Sequence, residues 1–389
     1  MLGLLGALLL APLYWLVPAG RRRAVATGLS VAALGAIDAR LLGLLAATTA
    51  LVCGVSTLLP RIRDARARLV AVTGALGVVV ACFVLHKTGG GAGGQALASQ
   101  QGLSLLGASY LTLKAAAAIL DAARGAAGPL RPGDVLAWLS FFPTYPAGPI
   151  EELGHFRDQT PHVDTARVLT GLERILFGLV KALVLGAHLG AWADGIVADP
   201  AGHDRLTLLA ALYAESLRFY LDFAGYSDVA IGLAAVYGFE VAENFDAPFV
   251  RRNYVQLWQR WHMTLTGWLR TYLFVPVSRQ LLRRLGPERH LAAVVAGQLV
   301  AMTACGLWHG ISWNFAVWGM LQAAGLIWVG SLARPLGARL PAGLVRWWRR
   351  SRVAHGLAIG LTFTTFSLTI VFAVTDLASA GRYLALLVG

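Results

Sequence analysis

Apolar stretches of bilayer length recur along this chain, parted by short polar or glycine-rich breaks. A helix that crosses the hydrocarbon core needs about 20 apolar residues. Stretches 2–18, 24–37, 41–59, 69–85 and 102–120 come first, and 24–37 is the shortest of them. Long runs at 169–192 and 206–239 follow, then a pair at 290–308 and 313–332, then one more at 355–374. Residues 377–389 are too few for an ordinary crossing. The pattern predicts an all-α polytopic membrane bundle, read as one multi-span domain over 1–389.

Two segments depart from that pattern. Between 135 and 150 the run SFFPTYPAGPI sets Pro143, Pro146, Gly148 and Pro149 among aromatic and apolar residues. Irregular backbone at membrane depth persists only where protein or a water-filled cavity covers it. This segment therefore reads as re-entrant or cavity-lining. Between 254 and 273 apolar residues fall at 254, 258, 261, 265, 268, 269 and 272. Those gaps fill an arc of roughly 100° on a helix. They predict one amphipathic helix lying along a membrane face or dipping into it. His262 sits at the inward edge of the arc, with Arg260 and Arg270 turned elsewhere.

Composition sharpens the membrane reading. The chain is 57% hydrophobic and 14% charged, against about 25% charged in a soluble domain. Its net charge is +13. The basic residues cluster at Arg21, Arg22 and Arg23, at 61–68, at 279–289 and at 334–352, each beside an apolar run. The positive-inside rule makes these clusters cytoplasmic and puts the N-terminus outside, with 2–18 a retained span. The clusters form no single basic face, which argues against nucleic-acid binding. Cys53, Cys82 and Cys305 lie in apolar runs with no disulfide or metal spacing, and read as small buried residues. The glycine run at 89–94 lacks the Gly-Lys-Ser/Thr ending of a phosphate loop.

Polar groups inside so apolar a chain are the candidates for chemistry. A histidine, His309, sits between Trp308 and Gly310 where the 290–308 and 313–332 runs meet. Basic residues flank that pair on both sides, so it reads as a hairpin with cytoplasmic ends. An imidazole in hydrocarbon needs a partner or a function. Glu173, Arg174, Lys181, Glu215, Arg218, Asp222 and Asp228 interrupt the two long central runs, and charges within spans usually face the protein interior. The stretch 151–162 holds Glu151, Glu152, His155, Asp158 and His162 without a dense ligand motif, and reads as a solvated loop with no metal. The run Gly225-Tyr226-Ser227-Asp228-Val229 lacks the last glycine of a nucleophile elbow. These features leave three classes open. One is an enzyme built on the histidines. Another is a transporter or flippase that relays protons through Lys181, Glu215, Asp222 and Asp228. The third is a catalytically silent assembly module.

Four segments decide among them by likeness. FFPTYPAGPIEELGHF from Phe141, YLDFAGYSDVAIGLAAVYGFEVAENFDAPF from Tyr220, WQRWHMTLTGWLRTYLFVPV from Trp258 and GLWHGISWNFAVWG from Gly306 occur in that order. Together they resemble the membrane-bound O-acyltransferase family. The closer likeness is to the bacterial branch that holds the alginate O-acetylation membrane subunit and the D-alanyl transferase of teichoic acid modification. The resemblance implies a helical membrane enzyme whose core motifs lie within 141–319. It implies transfer of an acyl group from a cytoplasmic thioester, carried by coenzyme A or an acyl carrier protein, to a hydroxyl of an envelope glycan or other acceptor. It implies the bacterial cytoplasmic membrane as location and requires no bound cofactor. His309 matches the family's catalytic histidine and takes the role of general base. His262 matches the second histidine of the branch, and either orients the donor or hydrogen-bonds the developing oxyanion. Asn244, Asp222 and Asp228 are candidates to hold a histidine tautomer or face substrate. Arg283 and Arg284, with Arg251, Arg252 and Arg279, are candidates for a basic rim that attracts an anionic donor.

Overall fold

A computed structural model describes residues 2–89, 100–126 and 128–389, so the glycine run at 90–94 lies outside the described residues. Every regular element among these residues is helical. Among the described residues, six helices are long and apolar enough to cross a membrane: Ala39–Arg61, Ala65–Thr88, Arg205–Val236, Pro287–His309, Trp313–Leu332 and Arg352–Val374. The chain falls into two compact units, Met1–Leu179 with Gly225–Ala242, and Val180–Ala224 with Glu243–Gly389.

The first unit contains α1 (Leu2–Trp15), α2 (Ala19–Ile37), α3 (Ala39–Leu58), α4 (Ala65–Gly89), α5 (Gln100–Arg124), α6 (Pro132–Ser140), α7 (Leu153–Asp158) and α8 (Thr165–Leu179). Arg21, Arg22 and Arg23 form the start of α2 rather than a loop. Arg22 donates from Nε to the Val17 carbonyl at 3.0 Å and from Nη2 to the Trp15 carbonyl at 3.2 Å. Those carbonyls lie at the end of α1, where helices run out of internal donors. Cys82 departs from expectation, being exposed on α4, whereas Cys305 is buried.

The proline-rich segment behaves as its sequence predicts. α6 stops at Ser140, and Phe141, Phe142 and Tyr145 are buried in the irregular stretch that follows. The Phe142 N–H donates to Ser30 Oγ at 3.1 Å. Lys114 Nζ donates to the Trp138 carbonyl at 3.0 Å, and Trp138 Nε1 to the Glu151 carbonyl at 2.8 Å. Phe142, Tyr145 and Pro146 line a largely apolar cavity of about 380 Å³ together with residues of α1, α2 and α3. The loop after it is less solvated than predicted. Glu151 is only 4% exposed, accepts the Ala242 N–H at 3.0 Å and contacts His155 Nδ1.

The second unit begins with a π-helical stretch, Val180–Gly186, and α9 (Ala187–Ala198). Next comes α10 (Arg205–Val236), one unbroken helix whose residues 205–224 belong to this unit and 225–236 to the other. Then come α11 (Tyr254–Trp258), α12 (Met263–Leu269), a π-helical stretch Arg270–Phe274, α13 (Val275–Leu285), α14 (His290–His309) and α15 (Trp313–Ile327). The unit ends with α16 (Ala333–Gly337), α17 (Ala342–Arg350), α18 (Arg352–Val374) and α19 (Leu377–Val388). The α14–α15 hairpin is the predicted one. A Cβ at Gly306 would collide with the Phe315 carbonyl, and one at Gly319 with the Met302 carbonyl. Glycine at both positions lets the two backbones touch, as small residues do between membrane helices.

The single amphipathic helix expected over 254–273 is not formed. It stops at Trp258 and resumes at Met263. The cause is a strand of chain from upstream. The Asn244 carbonyl takes the Met263 N–H at 2.8 Å, and the Asp246 N–H donates to the Arg260 carbonyl at 3.0 Å. These bonds occupy backbone groups that a continuous helix would have paired internally.

Candidate active site

His262 lies on the turn between α11 and α12, with φ at +42°. That left-handed region costs a non-glycine residue of order 1–3 kcal/mol unless its surroundings enforce it. Here they do. Asn253 Oδ1 caps α11 by accepting the Gln256 N–H at 2.9 Å. Gln322, fully buried, accepts from Tyr254 Oη at 2.8 Å and Trp258 Nε1 at 3.3 Å, and donates to Thr369 Oγ1 at 2.7 Å. α11 is thereby tied to α15 and α18, and the turn that follows is held in place.

The side chain of His262 is 1% exposed. Its Nδ1 lies 2.9 Å from Asn244 Oδ1, and Asn244 is itself fully buried. Thr264 approaches the same oxygen with its hydroxyl at 2.9 Å and its backbone N–H at 3.4 Å. Around the ring stand Phe223, edge-on at 4.7 Å, then Phe245 and Trp308 at 6.4 and 6.5 Å. Burial pushes the His262 pKa well below its usual value, and a charge on His309 pushes it the same way.

His309 is the last residue of α14, just before the turn into α15. It is partly exposed, so it is the more accessible of the two imidazoles. Trp308 lies 4.8 Å from its ring, Trp318 5.4 Å away and edge-on, and Phe315 6.5 Å away and stacked. The turn is pinned to the end of α18, where Asn314 Nδ2 donates to the carbonyls of Phe372 and Thr375 at 3.0 and 3.1 Å. Trp308 stands beside both histidines, so two residues far apart in sequence share one aromatic setting.

Of the candidates named from sequence, Asn244, His262 and His309 are brought together. The others have surroundings of their own. Asp228 belongs to the first unit, where Arg174 Nε donates to it at 3.0 Å. Asp222 is exposed and lies beside Gly186. Near it in sequence, Arg218 bonds Glu215 Oε2 at 2.7 Å and reaches Asp194 at 3.4 Å. Ion pairing of this kind lowers the cost of charge within a membrane helix. Arg283 and Arg284 are exposed in the last turn of α13, where cations also complement the helix dipole. No group of three or more histidine, cysteine, aspartate or glutamate side chains among the described residues is arranged to hold a metal ion. Thr264 and Phe223 were not singled out from sequence. The spacing of Thr264 two residues after His262 carries no chemical signature without the fold.

The comparisons with known proteins agree with one another. The model of the membrane-bound O-acyltransferase family matches residues 95–339, a stretch that holds Asn244 and both histidines. The chain is 28% identical over 285 residues to the teichoic acid D-alanyltransferase of Streptococcus thermophilus, covering 70% of this chain and 68% of that protein. It is 32% identical over 219 residues to the probable alginate O-acetylase AlgI of Azotobacter vinelandii, covering 55% and 42%. It is 30% identical over 204 residues to the peptidoglycan O-acetyltransferase of Helicobacter pylori, covering 50% and 36%. The match thus spans less than half the length of the last two relatives.

Proposed function

We propose that this chain, which belongs to the membrane-bound O-acyltransferase family, moves an acyl group from a thioester at the cytoplasmic face to a hydroxyl of a cell-envelope polymer, with His309 as general base. It is a multi-pass membrane protein, and its working location in this reading is the bacterial cytoplasmic membrane. The observation that carries the reading is the meeting of His309 and His262 in one aromatic-lined setting of the second unit. Relatives named for teichoic acid, alginate and peptidoglycan chemistry support an envelope polymer as acceptor.

The thioester carbonyl is already activated, and the weak partner is the alcohol. His309 takes the hydroxyl proton as the oxygen attacks the carbonyl carbon. The C–S bond then breaks, and the proton on the imidazole passes to the departing thiolate, so the step balances without a further reactant. Burial disfavours the charged form of His262. Two adjacent imidazoles do not readily both carry a proton, so His262 stays neutral while His309 is charged. The aromatic walls limit water near the thioester, which favours transfer over hydrolysis.

The test is His309→Ala. General-base catalysis is worth about 10² to 10⁴-fold, so ester-linked acyl groups on envelope polymers should fall by that order. The variant should still insert and run as a monodisperse species in detergent. His309→Gln should be nearly as poor, because an amide cannot accept the proton at useful pH. A well-folded His309→Ala protein that acylates at the parent rate would remove the proposal.

A further inference from the structure

We infer that Asn244 and Thr264 are positioning residues that hold His262 in the tautomer with its proton on Nδ1, so that Nε2 accepts a hydrogen bond and does not donate one. The inference rests on the acyl-transfer reading for its role, but its geometry stands apart from it.

An asparagine amide has one accepting end and one donating end, and the network decides which is which. The Thr264 backbone N–H can only donate, and it points at the Asn244 side-chain atom that also meets Thr264 Oγ1 and His262 Nδ1. That atom is therefore the oxygen. Turning the amide over would set an NH₂ group against an N–H. The backbone of Asn244 is fixed as well, because its carbonyl takes the Met263 N–H. A carbonyl oxygen has no proton to give, so at 2.9 Å the hydrogen between Asn244 and His262 comes from Nδ1. A neutral imidazole carries one N–H, and Nε2 is left with a lone pair. Burial at 1% exposure keeps the ring neutral.

This tautomer narrows what His262 can do. An oxyanion is stabilised by donors, and an unprotonated Nε2 is not one, so the oxyanion role expected from sequence needs the opposite tautomer. A lone pair suits the other expected role, orientation. It can accept from an amide N–H of the pantetheine arm, which coenzyme A and acyl carrier proteins share, and so hold the thioester for attack.

Full-length protein labelled with ¹⁵N-histidine, purified in detergent without substrate, tests the tautomer by nuclear magnetic resonance. His262→Gln identifies the signal by its loss. The expected spectrum shows Nδ1 protonated and Nε2 unprotonated. Asn244→Leu removes the accepting oxygen, so it should shift the ring toward a mixture of tautomers and lower envelope acyl ester content roughly 10- to 100-fold. Thr264→Val keeps the backbone N–H that fixes the amide, and should leave the ring protonated on Nδ1. An Nε2-protonated ring, an imidazolium at neutral pH, or an unchanged spectrum in Asn244→Leu would overturn the inference. None of those spectra depends on whether the chain transfers acyl groups, so failure here is separable from failure of the proposed activity.

Discussion

The helices are interrupted at 141–149 and at 259–262, and the two interruptions are made differently. At 141–149 the breakers are local: Pro143, Pro146, Gly148 and Pro149 remove donors and pre-set the backbone where they stand. At 259–262 the residues are Gln259, Arg260, Trp261 and His262, with neither proline nor glycine among them. There the breaker is Asn244, 18 residues upstream of His262, whose carbonyl and side chain claim groups from the turn. The first break lines an apolar cavity, and the second sets an imidazole against the tryptophan that another imidazole also meets. A break written into the local sequence can be structural and tolerant, whereas one imposed by a tertiary partner ties the fold to the placement of a single side chain.

The largest expected contrast follows from removing that partner. Asn244→Leu should cut envelope acyl ester content roughly 10- to 100-fold in inserted protein. Pro143→Ala should leave it within about twofold, since the irregular path there is also held by the Ser30 bond. Equal losses from both substitutions would erase the distinction between the breaks. A smaller effect, on stability alone, is expected from Ser30→Ala. It strands the buried Phe142 N–H at a cost of about 1–3 kcal/mol, read as a lower unfolding midpoint in detergent with acyl transfer retained per folded molecule.

The smallest effect concerns the exposed end of α13. Charge reversal at Arg283 and Arg284 should raise the apparent KM for the thioester donor a few-fold, roughly, and flatten its dependence on salt. Donor kinetics unmoved by either change would restrict these arginines to the helix end and to anionic lipid.

Much of the fold was legible because hydrophobic runs report their own burial. The α14–α15 hairpin, the long α10 and the proline-broken segment all follow from patterns in continuous stretches of chain. His309 was legible for the same reason, as a polar residue where an apolar pair turns. His262 was legible as inward-facing, but for an incomplete reason. Periodicity placed it on a continuous helix, while the molecule buries it through a left-handed turn. The bond from Asn244 to that turn spans different elements, and no local pattern encodes a contact of that kind. Asp222 and Asp228 were legible only as charge in an apolar run, which signals a purpose without naming it. Asp228 forms an ion pair with Arg174.

The division of α10 between two units bears on how the chain is made. Ribosomes deliver residues in order, yet the first unit needs 225–242, which emerge after 180–224 of the second. The early helices must therefore wait in the bilayer, incomplete, while part of their neighbour is inserted. Once residue 242 has emerged, the first unit has all its pieces, while 243–389 remain to be synthesised. At about 5–20 residues per second, that leaves it a head start on the order of 10 s. Both histidines lie after residue 242, so the two meet only once the first unit has had time to settle.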